Sequence, residues 1–212
     1  MTRFTVAHID ARSGHLPAEA AELAKADAEL IARFCKSDDE VIAFARDADG
    51  ILCTAYPVSR AIFEACPNLK VVVRYGIGFD NIDIEAASDH DVVVCNVTDY
   101  CIDEVATHAF ALLLALNRRL KLLDLAVRRG ERIGLGPVGP LRGEMLGLVA
   151  FGNIARAVAE RARPFGLNVC AYDPYLAPSA AEEHGVRLAS LDELMATSDY
   201  VSVHAPLNAE TR

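Results

Sequence analysis

The sequence predicts an α/β protein built on parallel sheets, and three features carry that expectation. Short runs rich in Val, Ile and Leu recur along the chain and are apolar throughout rather than alternating, as strands buried on both faces are. Stretches of helical spacing, several of them rich in Ala and Glu, lie between those runs, so strand and helix alternate. Twice, a glycine-containing turn follows such a run directly, at 76–78 and at 150–155.

In chain order, residues 4–7 form the first expected strand, 17–24 the first helix and 29–32 a second strand. Ser37, followed by Asp38, Asp39 and Glu40, is an N-cap with acidic first-turn residues, opening a helix to about 45. Strand 50–53, helix 59–66 stopped by Pro67, strand 69–74 and strand 91–95 come next. One long helix is expected from 103 to about 130, and the Gly- and Pro-rich 130–143 is a loop. A second α/β block then reads strand 146–150, helix 154–165, strand 168–172, helix 191–196 and strand 200–203. The chain therefore divides near Tyr100, into domains 1–100 and 101–212.

Composition narrows the function. Hydrophobic residues make up 52% and charged residues 24%, a mix that folds around a core. A net charge of -9 disfavours nucleic acid and anionic membrane surfaces, which need clustered Lys and Arg. The basic clusters at Arg118-Arg119 with Lys121 and at Arg128-Arg129 read as solvated helix faces. None of the six cysteines forms a C-x-x-C pair, so buried reduced thiols are expected, with no disulfide framework and no metal site. The amino terminus lacks the apolar centre of a signal peptide, and the apolar run 109–116 is too short to span a bilayer. These features point to a cytoplasmic protein without a membrane partner.

The turn in the second block carries a dinucleotide-binding pattern after a strand and at the start of a helix. Where G-x-G-x-x-G/A is expected, the chain has Ala150, Phe151, Gly152, Asn153, Ile154 and Ala155. Gly152 lets backbone approach a pyrophosphate and Ala155 permits close helix–strand packing. Ala150 replaces the first glycine, at a cost of roughly 1–2 kcal/mol if the turn requires positive φ and little otherwise. Asp173, at the end of the next strand, is placed to accept hydrogen bonds from adenine-ribose hydroxyls and to repel a 2′-phosphate, so NAD is the expected cofactor. In the first block, Gly76 and Gly78 allow a tight turn with exposed N–H groups able to hold a carboxylate, to which Arg74 could add charge. A purely structural turn, with Asp80 and Asn81 satisfying local backbone, is the alternative.

Four segments, LKVVVRYGIGFDNIDIEAAS, VVVCNVTDYCIDEVATHAFALLLALNRRL, LRGEMLGLVAFGNIARAVAERARPFGLNVCAYDPY and SDYVSVHAPLNAETR, together resemble the D-isomer-specific 2-hydroxyacid dehydrogenases. The first two look most like the C-terminal-binding-protein-like branch. The resemblance implies two Rossmann or flavodoxin-like parallel-sheet domains with a cleft between them, the second incomplete. Residues 1–100 would be the substrate domain without its C-terminal return segment, and 101–212 the first part of the NAD domain. Arg74, Gly76, Ile77, Gly78 and Tyr100 would meet a small 2-hydroxy or 2-oxo acid. Ala150, Gly152, Asn153, Ile154, Ala155, Asp173, His204, Ala205, Pro206 and Thr211 would line the NAD site.

The resemblance also implies homodimers and reversible hydride transfer at a CH–OH group. The family's Arg, Glu and His come after the H-x-P-L segment, beyond Arg212, so an amino-terminal fragment inactive by itself is expected. None of the histidines present takes the acid–base place. His108 lies within the long helix, His204 walls the cofactor pocket, and His8, His15, His90 and His184 read as surface positions. The alternative is an NAD(H)-responsive, corepressor-like binding protein without turnover.

Overall fold

The computed structural model describes residues 3–12, 16–134, 136 and 138–212. The chain divides into two compact units, one running to Tyr100 and including Leu207–Glu210 and Arg212, the other Cys101–Pro206 with Thr211.

In the first unit the order is β1 (Phe4–His8), α1 (Pro17–Lys25), β2 (Ala28–Ala32), α2 (Asp38–Ala45) and β3 (Gly50–Cys53), then α3 (Arg60–Ala65), β4 (Val71–Arg74), α4 (Ile84–Asp89) and β5 (Val93–Asn96). All strands are parallel, in the order β2-β1-β3-β4-β5, which is the flavodoxin-like winding. The apolar runs form the middle of the sheet because helices cover both faces. Ile51 and Val72 are buried with Val41, Ile62 and Phe63, each contributing about 1.5–3 kcal/mol of hydrophobic stabilisation. Ser37 caps α2 as expected, accepting from the Glu40 N–H at 3.3 Å, while the Glu40 carboxylate accepts from the Lys36 N–H. Helix α4 was not legible as a helix. Its signal is Asp83, whose carboxylate accepts from the Ala86 N–H at 2.8 Å.

The second unit contains α5 (Ile102–Asn117), α6 (Leu120–Arg128), β6 (Met145–Val149), α7 (Asn153–Ala162), β7 (Asn168–Tyr172), α8 (Pro178–Glu182), β8 (Arg187–Leu188), α9 (Leu191–Thr197) and β9 (Tyr200–Val203). The strands are parallel in the order β8-β7-β6-β9, the 3-2-1-4 part of the Rossmann winding. The single long helix expected from 103 is two helices. Arg119 adopts left-handed backbone (φ 51°, ψ 38°) and breaks the path where neither Gly nor Pro signals a stop. Pro164 similarly turns the end of α7 into a short 3₁₀ segment, Arg163–Phe165. Helix α5 packs on α7, with Phe110 edge-on to Phe165 at 4.9 Å. Gly147 sits where α9 presses on β6. A methyl group there would overlap Ser198 Oγ and come within 2.6 Å of Leu194 Cδ2.

Cys35, Cys53, Cys66 and Cys170 are buried, and burial pushes the Cys53 thiol up to about 12. Cys95 departs from the expectation. It lies exposed on β5, at the edge of its sheet. Among the described residues no helix is long and apolar enough to cross a membrane.

Candidate functional site

In the second unit the site forms at the carboxyl end of β6. Ala150 follows that strand with φ 68°, inside the left-handed region, so the unfavourable alternative raised by its sequence is the one realised. Its N–H donates to the Tyr172 carbonyl at 2.8 Å. Phe151 then turns its ring into the core, 1% exposed. Gly152 is the N-cap of α7, with φ -76°, and no side chain caps the helix. The first-turn amides therefore face outward from an uncapped helix end, as an anion requires. Gly152 is demanded neither by φ nor by a neighbour, since a Cβ there would enter open space. A glycine with that freedom fits the close approach of a pyrophosphate. Ala155 is fully buried, which lets α7 lie tightly on the sheet.

Asp173 follows β7 and is fixed by two backbone groups. Its Oδ2 accepts from the Phe151 N–H and its Oδ1 from the Tyr175 N–H, both at 3.0 Å. Each oxygen retains a second lone-pair position for a ribose hydroxyl. Arg156, not singled out by the sequence, donates from Nε to the Phe151 carbonyl at 3.2 Å. Its signal was a basic residue in a first helical turn, where acids are usual.

The end of β9 adjoins this loop. The His204 N–H donates to the Val149 carbonyl at 2.8 Å, and its Nε2 bonds Ser202 Oγ at 2.9 Å. Burial pushes the His204 imidazole below its ordinary value and keeps it neutral, as suits a pocket wall. Ala205 and Pro206 follow, and the Thr211 hydroxyl donates to the Pro206 carbonyl. The loop from Ala150 to Ala155 and the segment starting at His204 thus flank the point between β6 and β9 where strand order reverses. Open α/β sheets bind ligands at that point.

In the first unit the Gly76 loop follows β4. Tyr75 donates its N–H to the Cys53 carbonyl at 2.7 Å, and Asn96 Nδ2 donates to the Ile77 carbonyl at 2.7 Å. One point corrects the sequence reading. The Gly76 N–H, expected to be exposed, is turned inward and donates to the Arg74 carbonyl at 2.9 Å, and neither Gly76 nor Gly78 uses left-handed backbone. A Cβ on Gly76 would overlap the Arg74 guanidinium packed against it, so the end of that side chain would have to move. Gly78 is similarly close to Asp80, whose Oδ1 would lie 3.2 Å from a Cβ. Tyr100, at the last turn before α5, is 60% exposed.

The sequence reading also missed Asp10. Its carboxylate accepts from the N–H groups of Thr54 (2.9 Å), Ala55 (2.7 Å) and Tyr56 (2.9 Å). His8, read as a surface residue, is 4% exposed, with Nδ1 3.5 Å from Asp10. His184 packs edge-on against Phe151, His108 is exposed on α5, and His15 lies outside the described residues.

Comparison with known proteins bears on this geometry. Residues 110–212 match the family model described as D-isomer specific 2-hydroxyacid dehydrogenase, NAD binding domain. This part of the chain is similar to that domain. The matched stretch begins within α5 and contains the whole loop, Asp173 and β9, and what it matches is an NAD-binding domain. The chain is 39% identical over 175 residues to D-3-phosphoglycerate dehydrogenase of Mycobacterium bovis, covering 82% of this chain and 33% of that protein. It is 39% identical over 162 residues to glyoxylate reductase of Thermococcus litoralis, covering 73% and 49%. Among solved structures, D-lactate dehydrogenase from Aquifex aeolicus complexed with NAD and lactic acid is similar, with a TM-score of 0.83 and 25% identity over 97% of this chain and 62% of that one. The chain thus spans a third to a half of the length of these curated relatives.

Proposed function

We propose that this chain is the cofactor- and carboxylate-holding part of an NAD-dependent oxidoreductase that interconverts a D-2-hydroxy acid and its 2-oxo acid. The observation that carries the reading is the uncapped start of α7 behind an open Gly152, with Asp173 hydrogen-bonded to the same loop. Amides of Gly152, Asn153, Ile154 and Ala155 would hold the pyrophosphate. Asp173 would accept from the ribose and exclude a 2′-phosphate, favouring NAD over NADP. His204, Ala205, Pro206 and Thr211 would wall the pocket. Bound there, the nicotinamide supplies or takes the hydride.

In the Gly76-Ile77-Gly78 loop the amides of Ile77 and Gly78, with Arg74 and Tyr100, would receive the substrate carboxylate in the unit that ends at Tyr100, which we read as the substrate domain. No histidine of these 212 residues is assigned the acid–base role. The matched relatives are oxidoreductases by name, which favours turnover over the corepressor-like reading. We also assign a homodimer face to α5 and α6, which expose Leu112, Leu116, Leu120 and Val127 along one connected pair of helices.

NADH titration by fluorescence, followed by NADH oxidation with glyoxylate, pyruvate and hydroxypyruvate, tests the assignment. The 212-residue chain is expected to bind NADH, with no turnover from the residues it contains. No NADH binding refutes the cofactor reading. Turnover by the 212 residues alone refutes the absence of an acid–base histidine among them.

A further inference from the structure

The loop after β6 is held largely through one residue. Phe151 donates its N–H to Asp173 at 3.0 Å, and its carbonyl accepts from Arg156 Nε at 3.2 Å. Its ring is buried, edge-on to His184 at 5.9 Å and beneath the Arg156 guanidinium at 5.8 Å. This residue is therefore anchored through amide, carbonyl and side chain together.

Arg156 is an unexpected residue for its place. The amino-terminal end of a helix carries partial positive charge, which disfavours a cation and favours an acid. The first turn of α7 nevertheless holds no acid, and Arg156 stands at its end, half-buried. What it does there is bond the carbonyl of Phe151, the residue between Ala150 and Gly152. Ala150 is held in left-handed backbone, a conformation that a non-glycine residue keeps only where its surroundings impose it. Those surroundings are the bond from its own N–H to the Tyr172 carbonyl and, at the next residue, the Asp173 and Arg156 bonds. Gly152 follows directly, with open space where its side chain would be.

We propose that Arg156 is a positioning residue for the dinucleotide loop. Through the Phe151 carbonyl it holds the strained Ala150 turn in its pyrophosphate-binding shape before the cofactor arrives. The inference rests on the NAD reading of this loop and adds a residue that the glycine pattern does not contain. It also accounts for tolerance of Ala150, since the clamp does what a first glycine does by having no side chain.

The test is a cycle of R156A and R156K, each alone and combined with A150G, in the protein. Two quantities are read: exchange of the Phe151 amide without cofactor, and the NADH dissociation constant by fluorescence. R156A is expected to speed Phe151 amide exchange about tenfold, the worth of one hydrogen bond, with the Val158 amide of the same helix unchanged. It should weaken NADH by a similar factor, and R156K should recover part of both. In the A150G background the loss of affinity from R156A should fall below about twofold, because a glycine needs no clamp.

Equal weakening in both backgrounds, with exchange unchanged, overturns the proposal and makes Arg156 a direct charge on the pyrophosphate. Unchanged exchange with unchanged affinity overturns it as well. A wild type that binds no NADH refutes the cofactor reading itself, and the exchange comparison, which needs no cofactor, still decides the clamp.

Discussion

Replacing Ala150 by glycine should stabilise the second unit. Ala150 has φ 68°, and a residue with a Cβ in left-handed backbone costs roughly 1–2 kcal/mol. Glycine removes that cost but loses about 0.5–1 kcal/mol through the greater freedom of the unfolded chain. The methyl group is partly exposed, so its removal opens no buried cavity. The difference spans about 0–1.5 kcal/mol, and its midpoint near ~0.75 kcal/mol corresponds to a rise of roughly 3–6 °C in Tm for a unit of this size. Scanning calorimetry of wild type and A150G measures it directly. A Tm that falls would falsify the strain argument, because it would mean that the surroundings absorb the Cβ without cost.

Other expectations follow from the packing and the site. Gly147→Ala should destabilise by about 1–3 kcal/mol through overpacking against Ser198 and Leu194, read as a lowered denaturation midpoint. Asp173→Ala removes the acceptor for the Phe151 and Tyr175 amides as well as the ribose contact, so NADH affinity should fall about tenfold or more. The same change should narrow the gap between NADH and NADPH, and an unaltered gap would count against the ribose role. Gly76→Ala forces the Arg74 guanidinium from its place, so the dissociation constant for the 2-oxo acid should rise, with NADH affinity unchanged.

Stability should also decline in mild acid. Burial lowers the pKa of His8 and of His204 in the folded state, with Asp10 and Glu19 partly offsetting it at His8. As pH drops below about 6.5, the ordinary imidazole value, the unfolded chain binds protons that the folded chain does not. The stability present above that pH is therefore lost progressively, by up to about 1.4 kcal/mol per pH unit for each His, until the folded imidazoles protonate. Urea midpoints at pH 7.5 and 5.5 check the sign, and equal values would remove the argument.

Much of this was legible in the sequence because it depends on local pattern. The runs ending at Cys53, Arg74 and Tyr172 are continuous and apolar, and each forms a central strand. Ser37 carries its own cap signal, and the strand–turn–helix around Gly152 is where its spacing puts it. What escaped reading was set by tertiary context. The break at Arg119 has no Gly or Pro to announce it, and β8 is two residues long. The crowding at Gly76 comes from the Arg74 side chain, two residues back, rather than from its own backbone angles. Asp10 and Arg156 act on backbone groups, and Asp10 reaches residues more than 40 positions away. No local window contains the partners of Asp10, and the Arg156 bond depends on the path of the turn between the two residues.

Asp10 also explains why the two units use the same kind of position differently. In each sheet the strand order reverses once, between β1 and β3 in the first and between β6 and β9 in the second. Such a point leaves a crevice at the carboxyl ends of the strands. In the first unit the Asp10 carboxylate occupies the amides of Thr54, Ala55 and Tyr56, so the backbone donors there are already satisfied by the protein itself. The carboxylate-binding role we assign is displaced to the loop after β4. In the second unit Asp173 takes only the Phe151 amide of the turn, together with that of Tyr175, and the first turn of α7 behind Gly152 is left without a side-chain cap. One acid closes its crevice and the other leaves its crevice open for an anion. The same winding, repeated in one chain, thus yields one filled switch point and one fit for a dinucleotide.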